Sequence, residues 1–337
     1  MNMNYEEFKE RVQEELKDYL GNGYENVEVI FRDALKVNQT LEQLSIMGIP
    51  GHENASPSIP VKAVYEDYLE KDSFEEAMEH LADTVKEAVR RMPHTPIKDG
   101  HLDMRDVENH IFFTLVNTEQ NQDLLKNVPH REFEDLSVVY RWNVGGDGEG
   151  LYTNIVNNDF AKQIGKSEAE LFELAKANTK EMFPVTVQNM NEVIADMIFD
   201  GSPIDSDMKK EFEATVAEVP DERAMYVISN KAKIFGAASL LYEEKLFELA
   251  NKVNSNLYIL PSSVHECIAI SDKCGPAEEL AEMVYEINSE QVEISERLSN
   301  QVYHYDRDER KLSLCTDTPY KSIGDDDRDM DIDRGGR

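Results

Sequence analysis

At 337 residues the chain can form one large domain or two of ordinary size with a buried core, and its 40% hydrophobic and 31% charged content excludes wholesale disorder. A formal net charge of -33 repels phosphate backbones and anionic lipid, which argues against direct nucleic-acid binding through basic patches and against anionic membrane surfaces. It leaves three readings: a well-solvated surface, a basic or DNA-binding protein as partner, or an acidic DNA mimic.

No apolar run approaches the roughly 20 residues that span a bilayer. The segment MNMNYEEFKERV carries acidic residues where a secretory signal carries basic ones, and no apolar core follows it, so a cytoplasmic location is expected. Cys267, Cys274 and Cys315 are odd in number and form no C-x-x-C pair. They read as free thiols in a reducing compartment.

Tyr5, Phe8, Val12, Leu16 and Tyr19 recur every three to four residues, which predicts a leading amphipathic helix ended by Gly21 and Gly23. Val27, Val29 and Phe31 alternate with Glu28 and Arg32 as a half-buried strand. Asn38 and Gln39 read as a turn, with Leu41 to Met47 as a second strand. After a loop from Gly48 to Pro60, a helix is predicted from Val61 to Leu69. Ser73 and Glu76 have capping-box spacing before a long helix striped by Phe74, Met78, Leu81, Val85, Ala88 and Met92. Pro93 and Pro96 stop it, so a first domain is placed at 1–93, followed by a polar linker to about Asp106.

Ile111 to Val116 and Leu136 to Trp142 read as strands, with a short helix from Asp123 to Lys126 between them. His130, like His94 and His101, reads as an isolated loop histidine. Gly145, Gly146, Gly148 and Gly150 are followed by a strand, Leu151 to Val156, and not by the helix a phosphate loop requires. Asn158 or Asp159 is the expected cap of the next helix, and Ser167 with Glu170 repeats the capping box. Gly165-Lys166-Ser167 lacks the upstream glycine of a Walker A motif, because Phe160 stands there. Residues from about 184 to 220 read as a helical insertion, with Val193, Ile194, Met197 and Ile198 on one face.

The densest apolar stretch runs from Ala224 to Ile270. Met225 to Ile228 reads as a strand stopped at Ser229, Asn230 and Lys231, and Gly236 to Tyr242 as a second strand returning in a hairpin. Leu246, Phe247, Leu249, Ala250 and Val253 mark a helix, and Leu257 to Leu260 a strand ended by Pro261. Cys267 to Ile270 is apolar again. Farther on, Leu280, Met283, Val284 and Ile287 predict a helix after Pro276, and Val302, Tyr303 and Tyr305 a last strand. The acidic tail from 317 to 337 has too few apolar residues to offset its ordering entropy and is expected to be disordered. The whole predicts an α+β fold: antiparallel or mixed sheets flanked by amphipathic helices, a main domain at 107–310, the insertion and the tail.

Ser262, Ser263, His265 and Glu266 form a polar cluster between two apolar strands, and with Asn230 they are the candidate binding residues. A serine nucleophile needs an adjacent base, which Ser262 or Ser263 with His265 would supply, but the G-x-S-x-G elbow is absent. The opposing reading is a turn in which the hydroxyls bind backbone amides. His265-Glu266 starts an H-E-x-x-H pattern that fails at Ala269, and His265 with Cys267 and Cys274 matches no standard zinc spacing. The aspartates from Asp325 to Asp333 lack the glycine turn and terminal glutamate of a calcium loop. No metal, no cofactor and no complete catalytic set is predicted.

Asn127-Val-Pro-His130, Asp135-Leu-Ser-Val-Val-Tyr140, Met225-Tyr-Val-Ile-Ser-Asn230, Gly236-Ala237-Ala238, Tyr258-Ile-Leu-Pro-Ser-Ser-Val-His-Glu266 and Leu298-Ser-Asn-Gln-Val-Tyr303 occur in that order. In these phrases the chain resembles a domain-of-unknown-function family of bacterial proteins common in anaerobic gut bacteria, over most of its length except the tail. The resemblance implies a bacterial, cytoplasmic α+β protein, similar to proteins carried on mobile elements, and transfers no catalytic residue. The loop from Gly51 to Ser56 departs from it. The expected role is a protein-binding or regulatory module, with the hydrolase and the DNA mimic as alternatives.

Overall fold

The computed structural model describes residues 2–50, 56–91, 97–98, 101–102, 104–146, 151–199, 220–319 and 321–324. The chain divides into two compact units, one of Met1–Lys36, Thr40–Pro96 and Val144–Tyr152, the other of Val37–Gln39, Ile97–Asn143 and Thr153–Arg337.

In the smaller unit, helix α1 (Tyr5–Leu20) starts at Asn4, whose side chain and that of Glu7 cap each other's amides, and ends at Gly21 with φ 76°. Strands β1 (Glu28–Lys36) and β2 (Gln39–Met47) flank Asn38 at φ 64°, and β3 (Ser58–Pro60) pairs antiparallel with β2. Helices α2 (Val61–Lys71) and α3 (Phe74–Arg91) follow, with the Glu76 amide donating to Ser73 Oγ at 3.3 Å, one half of the predicted capping box. Phe8 is fully buried at the centre, its ring 5.2 Å from that of Tyr68 and 5.9 Å from that of Phe74. The stripes of α1 and α3 bury against each other because apolar positions three and four apart share a helix face.

In the larger unit, β4 (Ile97–Lys98) and β5 (His101–Leu102) pair antiparallel and α4 (Met104–Asn109) follows, inside the segment the sequence reads as linker. Strand β6 (Ile111–Asn117) is buried along its whole length. After α5 (Gln122–Leu125) comes β7 (His130–Phe133), so His130 opens a strand and is not in a loop. Strand β8 (Leu136–Gly146) lies between β6 and β7, antiparallel to both, and β9 (Leu151–Ile155) also pairs with it. Asn157, one residue before the predicted cap, accepts from the Phe160 amide at the start of α6 (Asn158–Gln163). Ser167 and Glu170 form the predicted box at the start of α7 (Glu168–Met182).

The second sheet has six strands in the order β10-β11-β13-β12-β14-β15: β10 (Val185–Asn189), β11 (Tyr226–Asn230), β12 (Leu257–Leu260), β13 (Cys267–Ser271), β14 (Tyr303–Asp306) and β15 (Lys311–Leu314). All five neighbouring pairs are antiparallel. Three expectations are corrected here. Residues 184–220 do not begin as a helical insertion, since β10 is an edge strand that precedes α8 (Met190–Phe199). Gly236 to Tyr242 is not a returning strand: Gly236–Leu241 is a 3₁₀ helix with five of its six residues buried. Both edges of β11 are already taken by β10 and β13, and a short apolar run carries no period that separates strand from buried helix. Tyr303 to Tyr305 is not the last strand, because β15 pairs with it.

Helix α9 (Glu243–Val253) buries Leu246, Leu249, Ala250 and Val253 of the predicted stripe, while Phe247 is only half-buried. Helix α10 (Ala277–Gln291) turns a different face inward from the predicted one, with Ala277, Ala281, Val284 and Asn288 buried while Met283 and Ile287 are exposed. Small residues on that face let it approach the Leu260–Val302 cluster. Cys267 is fully buried on β13, and burial pushes its thiol up; Cys274 and Cys315 are exposed. Residues 325–337, which carry the aspartate run, lie outside the described residues, whereas Ile323 is buried and its carbonyl accepts from Arg297 Nη1 at 3.1 Å.

Asp135, at the turn into β8, accepts from Ser299 Oγ at 2.6 Å and from the Tyr303 hydroxyl. Burial raises its carboxyl above the ordinary range, with the Ser299 and Tyr303 hydrogen bonds pulling the other way. A carboxyl raised in the folded state adds stability in full below its unfolded value, about 3.9, and loses it as pH climbs through the folded one. Asp135→Asn cannot ionise. Its stability deficit relative to wild type is therefore expected to shrink as pH rises above about 4, measured by urea unfolding from acid to neutral pH, and a deficit that grows over that range contradicts the assignment.

Candidate functional site

The predicted polar cluster lies between β12 and β13, pinned by main-chain bonds to the segment 296–299. Pro261 O accepts from the Ser299 amide and Ser262 O from the Leu298 amide, both at 2.9 Å, while the Val264 amide donates to Glu296 O at 2.8 Å. Ser263 forms an isolated bridge with Arg297. The His265 amide donates to Ser263 Oγ at 3.1 Å, so this hydroxyl meets the main chain of His265 and not its ring. The ring's Nδ1 accepts from the Phe235 amide at 3.3 Å, and its Nε2 stands 3.4 Å from Glu296 Oε1. In the neutral ring that fixes the proton on Nε2. Glu266 is exposed.

Asn230 takes part through its turn. Its Nδ2 donates to Ile234 O at 2.7 Å, and its Oδ1 accepts from the Ala232 and Ile234 amides. This Asx-type loop delivers Phe235 in the left-handed region at φ 53°, a rare conformation for a bulky side chain. Immediately after it, Gly236 packs so closely that a Cβ would lie 2.2 Å from Ser229 Oγ, 2.3 Å from His265 O and 2.9 Å from Asn230 N. Ser229 Oγ in turn donates to His265 O at 2.7 Å. Asn230, Phe235 and His265 are thereby brought together, while Ser262 and Ser263 serve the neighbouring main-chain contacts.

Phe235 and Arg141 belong to this site but carry no local motif. The Phe235 ring lies 6.0 Å from the His265 ring at 24° and 6.1 Å from that of Phe112, and the Arg141 guanidinium carbon is 4.7 Å from its centroid. Arg141 faces Phe112 across the β6–β8 pair and donates from Nη1 to Thr153 Oγ1 at 2.9 Å. Burial pulls its pKa down to about 10. The one available signal was a charge set in the apolar strand Leu136 to Trp142.

A second region is a cavity of about 650 Å³ lined in part by His130, Lys126, Lys162, Lys166 and Glu168. His130 Nδ1 lies 3.0 Å from Val128 O. The lysines are matched by Asp123 at 2.6 Å, Asp159 at 3.3 Å and Glu108 at 3.0 Å, which removes most of their pull on an anion. Burial pushes the Glu168 carboxyl up, but hydrogen bonds from Arg131 and from the Tyr140 hydroxyl, the latter at 2.5 Å, outweigh it and hold the group below its ordinary range. Among the described residues no group of three or more His, Cys, Asp and Glu is placed to hold a metal, and no helix is long and apolar enough to cross a membrane.

The contacts around Gly236 are with backbone and a short side chain, so they cannot move aside cheaply. Gly236→Ala is expected to cost about 3 kcal/mol, read as a lower urea midpoint at unchanged slope. Unchanged stability would show that the close approach is not a constraint.

Neither a curated protein nor a solved structure matches the chain. A model of a family of unknown function, DUF5688, matches residues 5–307, and the chain belongs to that family.

Proposed function

We propose that the chain works by binding a protein partner, at the surface formed by Phe235, His265 and Glu266. The observation that carries this reading is the conformation of Phe235. A bulky residue in the left-handed region costs on the order of 1–3 kcal/mol, and the surrounding fold spends Asn230, Gly236 and the His265 ring on holding it there. What the arrangement gains is a partly exposed aromatic pair on a rigid frame, followed in the chain by the exposed Glu266. Preorganised aromatic groups of this kind lose little entropy on binding and serve as interface anchors.

With a net charge of -33, the partner the field favours is basic, and a DNA-binding protein fits. The resemblance of the phrases to proteins of bacteria and their mobile elements points the same way and to the cytoplasm. The geometry favours binding over acyl transfer, because a serine nucleophile needs a ring nitrogen at its hydroxyl, and here Ser263 Oγ and His265 Nδ1 each meet a backbone amide.

The test is affinity capture from the source organism's lysate with tagged wild type, Phe235→Leu and Glu266→Lys, each first shown to melt normally. A single basic protein retained by wild type and reduced about tenfold or more by either variant, equivalent to a hot-spot loss of 1.4 kcal/mol or more, is the expected result. Capture that is indifferent to both variants overturns the reading. Labelling of Ser262 or Ser263 by a serine-reactive fluorophosphonate would replace it with the hydrolase.

A further inference from the structure

Three arginines of the larger unit invite comparison. Arg131 grips Glu168 through Nε and Nη2, both at 3.1 Å, and Arg310 grips Glu243 through the same two atoms at 2.8 and 2.7 Å. This is the side-on, two-pronged match of a guanidinium to a carboxylate. Arg141 has the same edge bare. Its Nη1 is held by Thr153, its Nε is shut off from solvent without a hydrogen-bond partner, and Nη2 has no protein partner among the described residues. No carboxylate pairs with it among those residues, in a chain that has 68 acidic residues for 35 lysines and arginines.

A largely buried guanidinium with no counterion among the described residues carries a desolvation cost that an exposed ion pair does not offset, and an orphaned buried N–H requires an explanation. Scarcity of acids does not explain it. A purely structural role does not need the charge either, since an apolar side chain of the same length would fill the space against Phe235 without the desolvation cost.

We propose that Arg141 is the receiving group of an oxyanion site, taking the carboxylate or phosphate of a small ligand on its Nε–Nη2 edge, with Thr153 fixing the opposite side and the Phe235 ring packed against the guanidinium. Because water does not reach Nε, entry of the ligand displaces a covering side chain, and the oxyanion supplies the missing acceptors. The site shares Phe235 with the partner surface but does not depend on a partner, and its test contains none.

The experiment is thermal melting of the full chain at constant ionic strength in sodium chloride, acetate, succinate or inorganic phosphate, for wild type, Arg141→Met and Arg141→Lys. The expected result is a saturable rise for wild type with at least one of the oxyanions over chloride, roughly 5 °C or more at a hundredfold excess over Kd. Succinate or acetate against phosphate tells carboxylate from phosphate. Arg141→Met is expected to melt no lower than wild type in chloride and to lose the rise. Should that variant fail to fold, Arg141→Lys keeps the charge without the fork and is expected to weaken the response at least tenfold. No rise in wild type, an equal rise in chloride, or an undiminished rise in the folded variants overturns the proposal.

Discussion

The sheet of the larger unit depends on one place where no side chain fits. At Gly236 the end of β11 and the carbonyl of His265 crowd the space that a β-carbon would occupy. Everything around that point follows from it. Phe235 must take the left-handed conformation to bring glycine there, Asn230 must bind the intervening amides to make the turn, and His265 must present Nδ1 to the Phe235 amide. The phrases around Asn230, Gly236 and His265 are thus one structural unit drawn from three parts of the chain.

An acidic chain short of cations also draws on tyrosine to satisfy its carboxylates, alongside Lys9 at Glu42, Arg131 at Glu168 and Arg310 at Glu243. Tyr5 donates to Glu42 at 2.8 Å, Tyr226 to Asp221 at 2.6 Å, and Tyr305 to Glu243 at 2.5 Å, alongside Tyr140 with Glu168 and Tyr303 with Asp135. A phenol gives a carboxylate a strong hydrogen bond while its ring contributes to the core, so one residue type serves both needs. Each carboxylate raises the phenol's own pKa in return, burial being the larger cause in all five.

Elements with a full period were legible in the sequence, and those defined by distant partners were not. The stripes of α1, α3 and α9 and the box at Ser167 and Glu170 rest on neighbours within a few residues. Strand β10 does alternate, Val185 and Val187 against Thr186 and Gln188, but it is only five residues long and runs straight into α8, and the Gly236–Leu241 turn looks apolar in either conformation. The inward face of α10 is not legible from its large apolar residues, because Ala277, Ala281 and Asn288 beside Val284, not Met283 and Ile287, are buried. At the site, the sequence located His265 and Asn230. The role of His265 comes from Phe235 and Glu296, 30 and 31 residues away along the chain, which local spacing cannot reveal, whereas Asn230 binds Ala232 and Ile234 within its own turn.

Cys267 sits on β13 with β11 on one side and β12 on the other, wholly enclosed, its thiol kept protonated by burial, whereas Cys274 and Cys315 face outward. The three sulfurs therefore divide into two that an alkylating reagent can reach in the folded chain and one that it reaches only when the sheet parts. Nature has in effect placed a timer at the middle of the sheet. Its rate measures how often β11 and β12 let go of β13, without a probe having to be added.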